Sequence, residues 1–400
     1  MAVAKKVKYA NLVPMKEFGS MDAYLNPFPV LNRLREEIAI RYDEARECWD
    51  VFRYEDVHHI LKDPRTFSSQ RGGEMLRKNL LTMDPPQHTQ MRNLVSKAFT
   101  PKAIQALESH IREISESLLD DVIGRGEMDM VHDFATPLPV IVIAELLGVS
   151  PNDRALFKLW SDLLVKSPED SSDEAFAKVL GERRQAGQEL DAYFLNMMEQ
   201  RRKEPREDLI SALLAAEIDG RKLTDEELTA FARLLLVAGN ETTTNLITNA
   251  VYRLTEDLAL QETLWQNPSM IPSFVEEVLR YYPPIKAIGR IAARDVEIAG
   301  QRIQTGEQVV AWVASANRDH RKFADPDTFD PKRKPNPHLS FGFGIHFCLG
   351  APLARLEAKV ALEVMSNRLK EMRLKQGVQQ EPIQSTFVYG FKHLPITFKA

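Results

Sequence analysis

The 400 residues contain two cysteines, Cys48 and Cys348, and no run of apolar residues near the length that spans a bilayer. Two thiols are too few for a disulfide scaffold and suit a reducing compartment, so at least one is free for chemistry. No Gly/Ser linker, low-complexity tract or fixed-period repeat interrupts the chain, and nothing in the composition marks a domain cut. Excess positive charge is also missing. With 52 basic and 57 acidic residues the formal net charge is −5, which gives no global attraction to nucleic acid or anionic lipid. The segment Met1 to Pro14 carries Lys5, Lys6 and Lys8 without the apolar core of a secretory signal or membrane anchor. A cytoplasmic protein with no membrane anchor is expected.

What is present is a globular composition, with 44% hydrophobic residues, enough for a large buried core. Short β-like segments lie at Glu47 to Arg53, Val296 to Ile298, Gln308 to Val313 and Pro395 to Phe398. Strands drawn from such distant parts of the chain predict one domain over residues 1–400. Between them the pattern is helical: Gln87 to Ala98, Lys102 to Ile123, Glu174 to Arg202, Ile271 to Tyr281 and Pro352 to Arg373. From Arg206 to Asn267 there is no proline. Thr224-Asp225-Glu226-Glu227 forms a capping box ahead of a long periodic apolar run. It predicts one helix from about residue 224 to about 256, long enough to cross the molecule. The Asp-, Pro- and Lys-rich stretch from His320 to Pro337 predicts an irregular, anchored meander. The fold class is therefore mainly α with a small β region.

Phe341-Gly342-Phe343-Gly344-Ile345-His346-Phe347-Cys348-Leu349-Gly350 is the most informative stretch. Its glycines permit sharp turns, and Cys348 sits just ahead of a helix whose N-terminal amides favour a thiolate. The pattern Phe-Gly-x-Gly-x-His-x-Cys-x-Gly resembles the haem-binding loop of the cytochromes P450. The resemblance extends through Trp49 to Val57, Phe67-Ser68-Ser69, Glu277-x-x-Arg280 and Phe329-Asp330-Pro331-Lys332-Arg333, and so covers nearly the whole chain. It implies the cytochrome P450 fold, with the long helix lying across a haem b, and Cys348 as axial ligand to the iron. A thiolate ligand pushes electron density toward the iron and favours O–O cleavage, as is general for this family. The resemblance also implies a structural triad of Glu277, Arg280 and Arg333 under the haem.

Within the long helix, Ala238-Gly239-Asn240-Glu241-Thr242-Thr243 resembles the acid–alcohol segment beside the family's oxygen site. Thr242 would then hydrogen-bond the bound oxygen, Glu241 would relay protons through water, and Gly239 would permit a local widening of the helix. His88 and Arg92, four apart on one helical face after Asp84-Pro85-Pro86, suit a carboxylate. By resemblance His88, Arg92, Arg290 and His346 anchor the haem propionates. The positions that resemble the family's pocket are Leu80, Leu81, Leu234, Val237, Ala238, Ile285, Ala287, Ile288, Phe387 and Val388, nearly all apolar. Lys286 stands among them and is expected to snorkel away.

These features imply a monooxygenase that takes O2 and an apolar small molecule: a steroid, terpenoid or fatty acid. The chain carries no flavin or iron–sulfur domain, so electrons from NAD(P)H would arrive through a separate ferredoxin or flavodoxin and its reductase. Arg92, Lys97, Lys102, Arg112, Arg355 and Lys359 are candidates for a basic docking patch. A haem-thiolate sensor without turnover is the rival reading, disfavoured by the intact Glu241-Thr242 pair; a metal-free binder is disfavoured by the complete set Cys348, His88, Arg92 and Glu277.

Overall fold

The computed structural model describes residues 15–71, 79–165 and 173–400; the expectation for Met1 to Pro14 falls outside them. The capping box forms as the sequence predicts. Glu227 donates its backbone N–H to the Thr224 hydroxyl, and the Glu227 carboxylate accepts the Thr224 N–H. From there one helix runs Asp225–Glu256, 32 residues, or roughly 48 Å at 1.5 Å per residue. Leu228, Phe231, Leu236, Leu246, Ile247, Val251 and Leu254 are buried along it, so packing on several sides, rather than propensity, holds it.

Its main neighbours are the helices Pro137–Leu147 and Asp173–Lys203 and a π-helical turn, Met130–Ala135. Pro137–Leu147 is not among the helices that the sequence pattern predicts. By length and composition the 18 residues Met130–Leu147 could cross a bilayer, although His132, Asp133 and Thr136 interrupt the apolar run; 61% of the stretch is buried within the fold. It behaves here as a core helix.

Gln87–Ala98 and Ile271–Tyr281 form as predicted, and the helix expected from Glu174 spans Asp173–Lys203. Two other helices are shorter than expected. The stretch Lys102 to Ile123 splits into Pro101–Gln105 and Glu108–Ile123. At the break Leu107 bonds three residues back, to the Ile104 carbonyl, and Ile104 and Ile111 are buried on either side. The helix opening near Pro352 spans Ala351–Arg368 and gives way to a strand, Lys370–Leu374, which pairs antiparallel with Pro395–Lys399. Pairing with the chain's own end overrides local helix preference there.

The largest sheet has the order Ile40–Asp43, Cys48–Val51, Gln308–Ala311, Ile288–Ala292, Phe67–Ser68. Gln308–Ala311 stops short of Val313, which starts a helical turn, Val313–Ala316. Glu127–Asp129 joins the C-terminal pair as a third strand. From His320 to Pro337 there is neither helix nor strand, as expected of the meander.

Lys286 does not reach water. It is fully buried; its Nζ donates to the Ser385 carbonyl at 2.7 Å and lies 5.0 and 5.6 Å from the ring centroids of Phe18 and Tyr24. The Phe18 cluster, which also holds Trp312 and Ala287, covers the route that snorkelling would take. Burial pushes the amine's pKa down to about 7, while the ring faces and the carbonyl favour the cation. In the unfolded chain the same group titrates near ~10.4. The unfolded state therefore binds more protons between about pH 7 and 10, and this residue's contribution to stability rises with pH across that window. Lys286→Met should raise the melting temperature at pH 6 to 7 and flatten its pH dependence up to pH 9.5. Parallel melting curves for parent and variant over that range would contradict this.

Candidate active site

The cysteine loop is held by its own backbone. Cys348 donates its N–H to the Phe341 carbonyl at 2.8 Å, Phe347 donates to Gly344, and Gly342 to Leu339. Gly344 has φ 70°, and a Cβ there would stand 2.9 Å from the Leu61 carbonyl oxygen, so only glycine lets the loop close on the helix Tyr54–Lys62. The N–H groups of Gly350 and Ala351, with Arg92 and Arg355, favour the thiolate as expected. Burial is the larger influence, however, and the Cys348 pKa lies above its ordinary value. The helix end alone does not make the thiolate; a cation at the sulfur would.

Glu277 is the hub beneath the loop. Its carboxylate accepts from Arg280 Nε at 2.8 Å and Nη2 at 2.7 Å, from Arg333 Nε at 3.2 Å, from the Asp330 N–H at 2.9 Å and from Asn336 Nδ2 at 3.1 Å. Arg280 and Arg333 then donate onward to the carbonyls of Asn317, Ala324, Asp325, Pro326 and Thr328. The three predicted residues thus meet in one buried network that ties the meander to the helix Ile271–Tyr281. Sequence reasoning missed the neighbouring Glu276, which takes two hydrogen bonds from Arg355 and one from His338, binding that helix to Ala351–Arg368. Those partners hold its pKa down at about 2 despite burial.

Five basic side chains border the loop. The His88 and His346 rings lie 4.2 Å apart, and neither nitrogen of buried His88 has a hydrogen-bond partner among the described residues. His346 Nε2 shares a 3.0 Å hydrogen bond with the Ser69 hydroxyl. Arg290, 5% exposed, donates to the Gly289 carbonyl. Burial and then Arg71 push its pKa down to about 10. Burial, then Arg290, His88, Arg71 and Arg92, push His346 down to about 3. Arg71, whose Nε is buried without a partner, is a member that no motif in the sequence signals. No ion pair joins these five to a carboxylate among the described residues; Asp84, the acid that Arg290 and His88 feel, is already held by Ser68 and Ser69.

On the long helix, Leu234, Val237, Ala238, Glu241 and Thr242 are half-exposed, while Leu236, Asn240 and Thr243 between them are buried. The spacing i, i+3, i+4, i+7, i+8 puts the five on one face. Thr242 donates its hydroxyl to the Ala238 carbonyl at 2.7 Å. The helix stays α-helical through Gly239, whose nearest neighbour is Ile143, so the expected widening is not seen. Burial raises the Glu241 pKa, and Arg183 opposes it. Ile285 pairs with Val388 in a β-bridge, and the Ile288 side chain reaches Gly342 of the cysteine loop. Leu80 is buried and Phe387 half-buried. Two predicted lining residues fall elsewhere. Ala287 is buried in the cluster around Phe18, and Leu81 is 46% exposed.

Comparison with known proteins closes the question of family. Residues 31–400 match the family model of cytochrome P450. The chain is 51% identical over 399 residues to cytochrome P450 109 of Bacillus spizizenii, covering 99% of this chain and 98% of that one. It is 41% identical over 375 residues to erythromycin C-12 hydroxylase of Saccharopolyspora erythraea, covering 92% and 93%. Among solved structures, CYP109E1 of Bacillus megaterium in complex with corticosterone superposes with a TM-score of 0.90 at 45% identity, covering 95% of this chain and 100% of that one.

The chain belongs to the cytochrome P450 family. It is a monooxygenase, and the family implies a haem-thiolate centre. The residues fit: a planar group with two carboxylates would supply the negative charge that the three arginines lack and acceptors for the two imidazoles, and its metal would supply the cation that the sulfur lacks. Of the six cations expected in a basic docking patch, three are paired with acids in the structure. Arg112 pairs with Glu363 and Glu108, Lys359 with Glu108, and Arg355 with Glu276, while Lys97 donates to the Glu217 carbonyl. That rim is a mixed-charge network. If the cations hold propionates, Arg290→Gln should weaken haem retention by about tenfold to a hundredfold, the worth of one hydrogen bond to a charged group at ~1.5 to 3 kcal/mol. Haem transfer to an apo-globin acceptor measures it. Equal transfer rates for parent and variant would contradict the assignment.

Proposed function

We propose that this single-domain cytochrome P450 binds haem b through Cys348 and inserts one atom of O2 into a C–H bond of an apolar substrate, with a steroid first among steroid, terpenoid and fatty acid. The observation that carries this reading is the half-exposed face of the long helix, with three apolar residues followed by Glu241 and Thr242. When bound, the haem supplies oxygen activation; the chain supplies position, dryness and protons. His88, Arg92, Arg290 and His346 would hold its carboxylates, and Arg71 joins them by position.

Leu80, Leu234, Val237, Ala238, Ile285, Ile288, Phe387 and Val388 offer apolar surface and few polar anchors. Binding on such a face gains roughly 25 cal/mol per Å² of apolar area buried, so affinity follows hydrocarbon area more than hydrogen bonding. The steroid preference is supported by CYP109E1, solved with corticosterone and with testosterone at 45% identity. Weak orientation by hydrogen bonds predicts more than one oxidised carbon. Glu241, with its pKa raised by burial, is suited to give up a proton and regain it from water. The Thr242 hydroxyl, donating to Ala238, keeps its lone pairs free to receive a donor on the open side. Electrons would come from NAD(P)H through a separate ferredoxin or flavodoxin and its reductase, in the cytoplasm.

The test is a titration with testosterone, a terpenoid, a long-chain fatty acid and a small polar metabolite, followed by turnover with a ferredoxin and reductase. The apolar ligands should give the low-to-high-spin optical shift, and testosterone should give oxygen-dependent hydroxylated product. Thr242→Ala should keep the shift but send most reducing equivalents to hydrogen peroxide. A shift from the polar metabolite alone would contradict the apolar pocket. Ligand binding without oxygen-dependent NAD(P)H consumption would point instead to a sensor, and unchanged coupling in Thr242→Ala would remove the proton role.

A further inference from the structure

We propose that Asp129, His132 and His393 form a surface site for a zinc-like divalent cation, separate from the haem pocket. Asp129 ends the strand Glu127–Asp129, His132 lies in the π-helical turn that follows, and His393 ends the strand Phe391–His393. The three ligand atoms lie within 4.8 Å of one another. His132 Nδ1 is 3.0 Å and His393 Nδ1 is 2.7 Å from the same oxygen, Asp129 Oδ2. The two rings stack with centroids 4.6 Å apart and planes 24° from parallel, so both nitrogens converge on one point.

The carboxylate is fixed before any cation arrives. Its other oxygen, Oδ1, accepts the N–H groups of Val131 at 3.0 Å and Leu394 at 3.1 Å. The Asp129 N–H in turn donates to Asp133 Oδ2, which lies 3.3 Å from Arg125. Zinc bonds of ~2.0 to 2.2 Å in a tetrahedron put neighbouring ligand atoms about 3.3 Å apart. The observed 2.7 and 3.0 Å separations need only a few tenths of an ångström of side-chain relaxation to reach that. Two imidazoles and a carboxylate are ligands for zinc and its first-row neighbours rather than for magnesium or calcium. Both histidines are about half exposed, leaving an entry path and room for water as the fourth ligand.

A second grouping, Glu36, Asp319 and His320, has its acids already taken. Glu36 pairs with Arg35 and Arg321, and Asp319 accepts from Tyr54 and Arg321. It serves as an internal control. At the proposed site the cation would join His393, five residues beyond Val388, to a turn packed on the long helix, where Thr244 donates to the Ala135 carbonyl. Occupancy would fasten the C-terminal wall of the substrate pocket to that helix.

The experiment is calorimetric titration of the haem-loaded protein with zinc chloride at pH 7.5, with cobalt(II) absorption as a second probe of geometry. One site is expected, together with a higher melting temperature in excess zinc. His132→Ala and His393→Ala, both at exposed positions, should each weaken binding at least about tenfold, the loss that even outer-shell changes can cause. His320→Ala should bind zinc as the parent does, and all three variants should keep the parent haem spectrum. No saturable binding, or binding that survives both His132→Ala and His393→Ala, would overturn the site.

Discussion

Uncompensated positive charge governs this molecule. Arg71, His88, Arg92, Arg290 and His346 converge beside the cysteine loop, desolvated, with no carboxylate among the described residues paired to any of them. Like charges sharing a low-dielectric space repel, and burial alone disfavours each of them. The protein relieves this in isolation by lowering the pKa values of the two imidazoles and the arginines. A dianionic planar ligand would reverse the balance, offering the arginines charge-assisted hydrogen bonds and favouring the protonated imidazoles. The Cys348 thiol has the complementary deficit, raised by burial and in want of a cation. One metallated dicarboxylate answers both.

Such a site must be held open by a frame that does not depend on the ligand. Glu277 provides much of it, accepting from two arginines, an asparagine and a backbone amide in full burial. Removing one partner of a buried pair of this kind costs about 3 to 5 kcal/mol, because the other charge is left stranded. From that hub the contacts run to the meander, through Asn317, which receives the Leu339 N–H, and into the cysteine loop. Glu276, Arg355 and His338 brace the same helix against Ala351–Arg368. On the long helix a run of buried residues is broken by the half-exposed face that carries Glu241 and Thr242.

Much of this was legible in the sequence because it rests on short-range chemistry. The capping box at Thr224, the turn-forming glycines around Cys348 and the one-turn spacings of His88 with Arg92 and Glu277 with Arg280 each express a local rule. What was not legible depends on distant partners. Arg373 belongs to a strand because the chain's end pairs with it, and Leu107 breaks a helix that its periodicity would continue. Lys286 is buried because Phe18 and Tyr24 lie over it, and three of the docking cations, Arg112, Arg355 and Lys359, are paired with acids far along the chain, such as Glu363 for Arg112. Arg71 and Glu276 carry no motif, and only the assembled site shows what they face. Gly239 was expected to widen the helix; the Thr242 back-bond to Ala238 is accommodated without it.

The central claim, that this loop and cation cluster build a haem-thiolate centre, is tested most directly by the optical spectrum of the reduced protein under carbon monoxide. The account predicts the long-wavelength Soret band of thiolate ligation in the parent and in Cys48→Ala, whose cysteine is buried away from the loop, and its loss in Cys348→Ala. A band that persists in Cys348→Ala would contradict it.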